Sequence, residues 1–574
     1  MKHTYKRFRV PNFDIKIKPH ELLIINTPTF QRLALLKQLG LAYLVYPHAT
    51  HTRYAHSLDC LDMAQKIMNS LIDNDSLNDQ QNAEDIELIR ASALLHDITH
   101  IPFSHTLEDE TGVLPRHDKG MRIDIFLDKI KEEIVTAEGH QPFADGVPTK
   151  EDYEKAQKLV DSVRLVQWTM AGEDGTNPKK PVLPEDKYYI ADIVGNTISA
   201  DLLAYIKSDV EHTGIEKRHG GYRAFDYFEL GQDQQGRRRL VIRLTKAGVR
   251  HDVISAILDI LDVRYALTER VIFHHAKCAA GAMLGKVASL CDLGESPELY
   301  SIGDEGLFEL LAKKIQGLPE QTEDGRPYKD AVSKLLQNLR RRQLHKRVFK
   351  VTVAERQEYD RGHEVRFAQK YHKPENRKSV EESIERKLGL DPGSVILFCP
   401  LEKASMKAAR VMVTYDKVRE TGKGRKPEFA VQLRGDELKA DYPDIHARVK
   451  NVEDQYLSLW NLYVFLDPES FAYAYTISTE LVKRLEVRND VLLTDLHLSQ
   501  KEGFRLGQLI ESEEGSLEST RLPQIYKTVL DSVARASKES DATNTIDQDT
   551  VRRAVEEAYK PTTGKTKKLF PDSE

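Results

Sequence analysis

The sequence predicts a mainly α-helical protein with a smaller α+β lobe toward its C-terminal end. Apolar residues recur at spacings of three and four through residues 21–125, which is the period of an α-helix. A helical pattern resumes over 188–216 and 250–290, and short β-rich segments follow the basic run that ends at Arg347. We therefore divide the chain into a helical region, a mixed α+β lobe and a polar tail, at residues 1–349, 350–535 and 536–574.

The elements of the helical region follow from stripes and end signals. A helix is predicted over residues 27–40, because a Pro lies near its first position and a Gly follows its last apolar residue. A second stripe runs over 56–67 at spacings of four, three and four, and a polar loop covers 74–82. A third helix is predicted through residues 86–100, so that its apolar stripe ends in two histidines.

The middle of the chain and the mixed lobe are predicted from their turn signals. Residues 135–187 contain several Gly, Pro and Asp clusters, so we expect a loop-rich insertion around one or two helices. A hairpin is predicted at Gln232–Gly236. We expect the tail to be partly disordered, with one short helix near 548–559. Strands of the mixed lobe are predicted at Ser394–Phe398, Arg410–Tyr415, Phe429–Leu433 and Leu462–Leu466.

Composition excludes several classes of protein. The chain has 574 residues, of which 40% are hydrophobic and 30% charged, as expected for a globular protein of two or three domains. No apolar run approaches the roughly 18 residues of a membrane span, and we recognise no signal peptide. Four scattered cysteines predict no disulfide framework, which favours a cytoplasmic location. The net charge of −6 argues against a general nucleic-acid binder.

The basic run over residues 340–350 leaves two interpretations open. A solvated helix face is the ordinary explanation of such a run. The alternative is a surface for effector phosphates or single-stranded nucleic acid at a subunit contact.

His96–Asp97 is the most informative pair in the chain. Imidazole and carboxylate together suit a first-row divalent cation. An isolated His–Asp pair is common by chance, but seven histidines lie between residues 48 and 117. This density predicts a metal site or a cluster of general acids.

The segments around these histidines resemble a known family. The similarity lies in Asn26–Leu33, in Tyr46–Leu58, in Leu95–His105, in Ile193–Asp209 and around Arg264. These segments are similar to the HD-domain deoxynucleoside triphosphate triphosphohydrolases, over most of residues 20–350. The resemblance implies a helical catalytic core of the HD type and a reaction that splits a deoxynucleoside triphosphate (dNTP) into deoxynucleoside and triphosphate.

The resemblance also implies a set of metal ligands. By position these are His56, His96, Asp97 and Asp201. Imidazoles with carboxylates leave coordination positions open for water and a phosphate oxygen, as a catalytic Mg, Mn, Fe, Zn or Co ion requires. Asp201 gains support from its spacing, because Asp201, Tyr205 and Asp209 at i, i+4 and i+8 share one helix face.

Acid–base and substrate groups are implied in the same way. His105 would be the catalytic acid, with its ring oriented by Glu108. His100, a further catalytic candidate, and His117 would bind or polarise the phosphates. Arg53 and Arg264 would hold phosphate oxygens in bidentate fashion. The positions that embrace the sugar are Gln38, Leu39, Tyr205 and Asp209.

Relatives of this kind act as multimers with effector nucleotides between subunits, which predicts a homo-oligomer (dimer, tetramer or hexamer) and possible allosteric control. Asn26 and Ala34 occupy the places where an acid and a cation read guanine in the animal enzyme. We therefore expect an effector other than GTP.

Three functions compete. The first is a metal-dependent dNTP triphosphohydrolase that controls dNTP pools or starves a virus of them. The second is an HD phosphodiesterase or phosphohydrolase for a signalling nucleotide or a single-stranded nucleic-acid end. The third is a nucleotide sensor with a decayed centre, which the complete ligand set disfavours. No hypothesis involves a membrane.

Overall fold

The computed structural model confirms the predicted fold class, a helical core with a smaller α+β lobe. No helix in the described ranges is long and apolar enough to cross a membrane. The described residues are 6–10, 13–117, 121–138, 148–172, 180–217, 225–245, 249–352, 362–401, 411–415, 430–432, 439, 442–485, 489 and 508.

Helices form most of the described chain. Eight α-helices lie in its first part: α1 Pro19–Ile25, α2 Pro28–Gln31, α3 Arg53–Asp73, α4 Ala83–Leu95, α5 Arg122–Glu138, α6 Lys150–Gly172, α7 Tyr188–Gly195 and α8 Ala200–Thr213. Eight more follow among the described residues: α9 His251–Leu267, α10 His275–Leu290, α11 Asp304–Gln316, α12 Lys329–Arg340, α13 Gly362–Tyr371, α14 Pro374–Leu388, α15 Pro443–Leu457 and α16 Ala474–Leu485. The described chain also contains two short π-helices, π1 Thr106–Glu110 and π2 Thr268–Ile272, and several short 3-10 turns.

The strands form three small sheets. They are β1 Lys6–Val10, β2 Phe13–Ile17, β3 Phe228–Gln232, β4 Arg238–Arg243, β5 Lys346–Thr352, β6 Val395–Phe398, β7 Met412–Thr414, β8 Val431–Gln432 and β9 Asn461–Leu466. β1 and β2 pair with each other, and the other two sheets have the orders β3-β4-β7-β8 and β5-β9-β6. The predicted hairpin is therefore observed as β3–β4, which is antiparallel.

The division at residues 349/350 needs correction, because that boundary falls inside β5. β5 pairs along its length with β9 of the mixed lobe. Conversely, β7 of the mixed lobe pairs in parallel with β4 of the helical region. The two parts of the chain thus share sheets, which local sequence patterns could not show since strand partners are distant in the chain.

Other elements differ from their predictions. The helix predicted over 27–40 is only the four-residue α2 and a 3-10 turn over Arg32–Leu35, after which the chain extends. The helix predicted through residues 86–100 ends at Leu95, and the residues from His96 to His100 lie beyond it. In the insertion, residues 150–172 form one long helix, while 139–147 and 173–179 lie outside the described residues. The predicted tail, 536–574, also lies outside them.

The core places α3 at the centre of the helical region. α3 packs against α4 on one side and α8 on the other. Its buried residues include Cys60, Met63 and Ile67, the stripe that predicted the helix. Because three helices meet at their polar ends here, side chains from separate parts of the sequence converge near His56.

Candidate metal centre and active site

Three segments deliver the predicted ligands to one place. His56 lies in the first turns of α3, where the Thr52 hydroxyl accepts a hydrogen bond from the Ala55 N–H at 3.4 Å. His96 and Asp97 follow the last residue of α4 directly. Asp201 lies in the first turn of α8, whose N-cap is Ser199. The packing of α3 between α4 and α8 therefore brings the four residues together.

The ligand atoms converge closely. The Nε2 atoms of His56 and His96 are 3.1 Å apart, and Oδ1 of Asp201 lies 3.1 Å from Nε2 of His56. Asp97 Oδ1 is 3.5 Å from Nε2 of His96. Bonds of about 2.0–2.1 Å to one ion bring neighbouring ligand atoms to roughly 3 Å from each other, so the observed spacing suits a single ion.

The donor set fits a cation because its carboxylates favour positive charge at the imidazoles: against burial, Cys60, Asp97 and Asp201 raise the pKa of His96 well above its usual value. The Nδ1–H of His96 donates to the carbonyl of Ala93 at 2.8 Å, so Nε2 is the nitrogen whose lone pair would bind an ion in place of a proton. That lone pair faces the ring nitrogen of His56 and two carboxylates. Of these residues, His56, His96 and Asp97 form a group that could hold a metal ion. Asp201 completes it from the open side, since its side chain is 37% exposed and that of His56 is 0% exposed.

The pKa values of both carboxyl groups are lowered. Burial raises the pKa of Asp97, but His96, His100 and Arg53 outweigh it, so the pKa of Asp97 lies well below its usual range. Burial also raises the pKa of Asp201, but the contacts with His56 and His96 have the larger effect, so the pKa of Asp201 is lowered.

Arg53 and His100 both contact Asp97, and the roles predicted for them at substrate phosphates stay predictions. Arg53 Nη1 donates to Asp97 Oδ2 at 2.5 Å, and the Arg53 side chain is buried. His100 Nε2 lies 3.1 Å from Asp97 Oδ1, while its Nδ1 contacts the Ser104 hydroxyl. Burial, aided by Arg53 and His117, keeps the pKa of His100 well below its usual value. Both residues thus contact Asp97, and both ring nitrogens of His100 have a hydrogen-bond partner.

The predicted orientation of His105 by Glu108 is also corrected. Nδ1 of His105 lies 3.0 Å from Oδ2 of Asp109, the residue at i+4. Glu108 instead accepts the Nδ1–H of His117 at 2.8 Å and a bond from Arg122 at 2.5 Å. The reason is local geometry: residues 106–110 form the π-helix π1, whose wider turn moves the facing position away from i+3.

His100, His105 and His117 nevertheless form one cluster. The rings of His100 and His117 are stacked with centroids 3.8 Å apart. The His105 ring lies 4.8 Å from that of His100 and 5.3 Å from that of His117. His105 is the exposed member, with 48% of its side chain accessible, so it can exchange protons with solvent. The cluster adjoins the metal ligands through the contact of His100 with Asp97.

Two of the predicted sugar positions, Gln38 and Asp209, are linked through His51. Asp209 accepts a hydrogen bond from Nε2 of His51 at 2.8 Å, and the N–H of Gln38 donates to the carbonyl of His51 at 2.9 Å. Leu39 is half-buried beside this pair. Burial raises the pKa of Tyr205 to about 12, so its hydroxyl is neutral. Arg264 lies near Tyr205 and Asp201, which outweigh burial and raise the pKa of Arg264.

Three functional partners were missed from the sequence: Asp109, Arg122 and His51. The i+4 spacing of Asp109 from His105 is a signal that could have indicated this contact. His51 was noted only as part of the histidine-rich stretch. Arg122 carries no local signal, since its contact with Glu108 depends on how α5 follows π1.

A comparison with protein-family models identifies the class. The model described as "HD domain" matches residues 53–166, which include His56, His96 and Asp97. The chain therefore contains an HD domain around the geometry described above.

The chain is also similar to several individual proteins. The chain is 26% identical over 359 residues to the deoxynucleoside triphosphate triphosphohydrolase SAMHD1 of Gallus gallus, covering 58% of this chain and 54% of that protein. It is 53% identical over 95 residues to an uncharacterised protein of Methanocaldococcus jannaschii, covering 17% of this chain and 19% of that one. A solved phosphohydrolase from Bacteroides thetaiotaomicron covers 80% of this chain and 99% of its own at 18% identity and a TM-score of 0.49.

The chain thus contains an HD domain over residues 53–166 and is similar, over 58% of its length, to a deoxynucleoside triphosphate triphosphohydrolase. It spans about half the length of the chicken relative and about a fifth of the archaeal one.

Proposed function

We propose that the protein is a metal-dependent phosphohydrolase that cleaves dNTPs into deoxynucleoside and triphosphate. The observation that carries the proposal is the convergence of two imidazole nitrogens and two carboxylates beside a solvent-accessible imidazole, His105. His56, His96, Asp97 and Asp201 would hold a divalent cation. When bound, that cation supplies Lewis acidity toward a phosphate oxygen.

The residues of this chain supply the proton chemistry. Hydrolysis forms a bond between a water oxygen and the α-phosphorus and breaks the bond from that phosphorus to the 5′ oxygen. The 5′ oxygen takes a proton from His105, and the attacking water loses one to solvent, so the protons balance. Asp109 orients the His105 ring through Nδ1, which directs Nε2 toward the leaving group. His117, held by Glu108, would contact the phosphates.

Two buried acceptors support a substrate with a sugar hydroxyl. Because Nε2–H of His51 donates to Asp209, Nδ1 of His51 is an acceptor, and within the described residues it has no donor. Gln38 Oε1 is likewise buried and unpaired there. A buried acceptor without a donor costs about 1–3 kcal/mol, which a hydroxyl of the ligand would recover. The deoxynucleotide named for the chicken relative offers such a hydroxyl.

Incubation of the purified protein with each dNTP and each NTP, with Mg²⁺ or Mn²⁺, tests the proposal. Chromatography should show deoxynucleoside and triphosphate in equimolar amounts. Release of monophosphate or diphosphate products, or turnover only of cyclic nucleotides or nucleic-acid ends, would favour the alternative HD phosphodiesterase.

Sugar selectivity sharpens the same test. We expect dNTPs to be preferred over NTPs, because Leu39 is predicted to crowd the 2′ carbon. Leu39→Ala should narrow the preference by roughly 10-fold, the usual scale for removing apolar packing at a substrate. Leu44→Ala, in the 3-10 turn that follows, serves as the matched control. Equal turnover of ATP and dATP by the unaltered chain would contradict the sugar assignment.

We also propose that the protein forms a homo-oligomer and responds to an effector nucleotide, in a role such as dNTP pool control or antiviral dNTP depletion. The support is the family resemblance together with Asn26 and Ala34, which argue against GTP as the effector. Light scattering at micromolar concentration, with and without each nucleotide, should detect assembly. A monomer whose rate is unaffected by any second nucleotide would exclude this part of the proposal.

A further inference from the structure

The mixed lobe contacts the end of the π-helix that carries Asp109. Thr111 directly follows π1, and its carbonyl accepts a hydrogen bond from Nη2 of Arg377 in α14. Arg377 is buried, with 7% of its surface exposed. A guanidinium buried at a lobe contact needs fixed acceptors, and here one of them directly follows the π-helix of the candidate active site.

The other amino group of Arg377 fixes the lobe to the same point. Nη1 donates to the carbonyls of Tyr371 and His372, at 2.9 and 2.5 Å. These carbonyls lie at the junction of α13 and α14. One side chain therefore joins three carbonyls, two from the mixed lobe and one from the residue after π1.

The approach of the lobe is close enough to require a glycine. Gly112 has a φ of +61°, and a Cβ at this position would lie 2.7 Å from Nε2 of His372 and 3.0 Å from its carbonyl oxygen. The His372 ring is itself held by the carbonyl of Cys399, 3.2 Å from Nδ1. The backbone after π1 is thus packed directly against a fixed surface of the lobe.

α10 confines π1 from another direction. A Cβ on Gly285 would lie 2.6 Å from the Thr111 side chain, and one on Gly281 would lie 3.0 Å from Glu110. Lys277 of α10 forms an ion pair with Glu110. These contacts leave the Thr111 end of π1 enclosed between α10 and Arg377.

Thr111 transmits this constraint to the start of π1. Its N–H and its hydroxyl both donate to the carbonyl of Thr106, at 3.0 and 2.7 Å. Thr106 directly follows His105. A displacement of the Thr111 carbonyl would therefore move the backbone on which the His105–Asp109 pair is built.

We propose that Arg377 is a positioning residue that sets the His105–Asp109 pair from the mixed lobe, through Thr111. The inference rests on the proposed function insofar as His105 is the proton donor. In this proposal the mixed lobe contributes to catalysis, although the proposed metal ligands and sugar-binding residues all lie outside that lobe.

Arg377→Met in the full chain tests the proposal, with Arg386→Met as the matched control. Arg386 lies on the same helix but is exposed and pairs only within it, with Glu382 at 3.0 Å, among the described contacts. We expect kcat of Arg377→Met to fall by roughly 10- to 100-fold, since a displacement of about 1 Å has that effect. KM and bound metal should stay within twofold, because the ligands lie on α3, α4 and α8. Arg377→Lys should give an intermediate kcat.

A second measurement separates this inference from the proposed function. In protein labelled at histidine Cε1, the His105 resonance is assigned from its loss in His105→Gln. Its chemical shift at one fixed pH should change in Arg377→Met and, to a smaller extent, in Arg377→Lys, but not in Arg386→Met. This measurement needs no substrate, so it decides the positioning role even if no nucleotide is hydrolysed.

An unchanged His105 resonance together with an unchanged kcat would overturn the proposal. So would a loss of bound metal in proportion to the loss of kcat, which would indicate general destabilisation. If Arg377→Met does not fold, Arg377→Lys is decisive under the same criteria, because it keeps the charge and most of the volume.

Discussion

The two halves of the candidate site are built on different principles. The proposed metal ligands lie on or next to three packed α-helices, and the side chains of His56, His96 and Asp97 are at most 12% exposed. The imidazole cluster instead depends on a short π-helix whose acidic residues each hold a different basic partner. His105 in that half is 48% exposed.

This difference matches the two tasks that we propose. A bound ion needs ligand atoms at fixed distances, which helix packing supplies. A proton donor needs orientation and also access to solvent, because it must be reprotonated after each turnover. The pair formed by the half-exposed His105 and Asp109 provides both. Variants of the two halves should therefore fail in different ways.

The largest effect is expected in the metal half. His96→Ala combined with Asp97→Ala should abolish bound metal and turnover. The protein should stay folded through the packing of α3, α4 and α8, but with lower stability, because the buried Arg53 loses its carboxylate partner. Elemental analysis and circular dichroism measure the two outcomes, with His48→Ala, an exposed histidine, as control. Full metal content in the double variant would refute the ligand assignment.

In the imidazole half, His105→Gln should keep the metal but lower kcat by roughly 10²- to 10⁴-fold, the usual contribution of a general acid. KM should change little because the phosphate and sugar groups remain. Steady-state kinetics on the best dNTP provide the measurement. A raised KM at unchanged kcat would make His105 a binding residue and erase the contrast between the two halves.

The next effect is on stability. His117 and Arg122 outweigh burial and lower the pKa of Glu108 from its usual value of 4.5. A lowered carboxyl pKa stabilises the fold above pH 4.5, and this stabilisation is lost as the pH falls through the folded-state pKa. Glu108→Gln should therefore lower the free energy of unfolding by about 3 kcal/mol at pH 7, as for other broken buried pairs.

The difference in free energy of unfolding between the unaltered protein and Glu108→Gln should become steadily smaller below pH 4.5. Denaturant unfolding at a series of pH values measures it. Glu84→Gln provides the control, because its pair with Lys158 is exposed and spans 4.0 Å. Its effect should stay within about 0.5 kcal/mol. A pH-independent gap for Glu108→Gln would mean that lost packing, and not lost charge, causes the destabilisation.

The smallest effect concerns the corrected pairing. Asp109→Asn should lower kcat by roughly tenfold with bound metal unchanged, because the amide still contacts His105 but loses its charge. Glu108→Gln should act mainly on KM, through His117. Kinetics of the two variants at one pH compare them directly. If Glu108→Gln lowered kcat and Asp109→Asn changed mainly KM, Glu108 and not Asp109 would be the functional partner of His105.

Much of the site was predictable because its residue types are rare together. His56, His96 and Asp97 stand in a short stretch with a helical period, and their chemistry suits a metal whatever the surrounding fold. Asp201 was predictable in the same way, from the family motif and its spacing to Tyr205. The mainly helical class also followed from periodicity alone.

Pairings within the site were less predictable because they depend on backbone geometry. One extra residue per turn in π1 moves the partner of His105 from Glu108 to Asp109 and frees Glu108 for Arg122. No propensity distinguishes a five-residue π-helix from an α-helix, since the difference is set by packing against α10.

By itself, then, the sequence determined the helical class, the ligand types and the chemistry they suit, because periodicity and side-chain chemistry are local properties. Only the tertiary structure decided which acid serves which histidine, that β7 joins the sheet of β4, and that Arg377 reaches Thr111. Those contacts join residues up to 266 positions apart, and the free energy that selects them comes from burial and hydrogen bonding in the assembled fold.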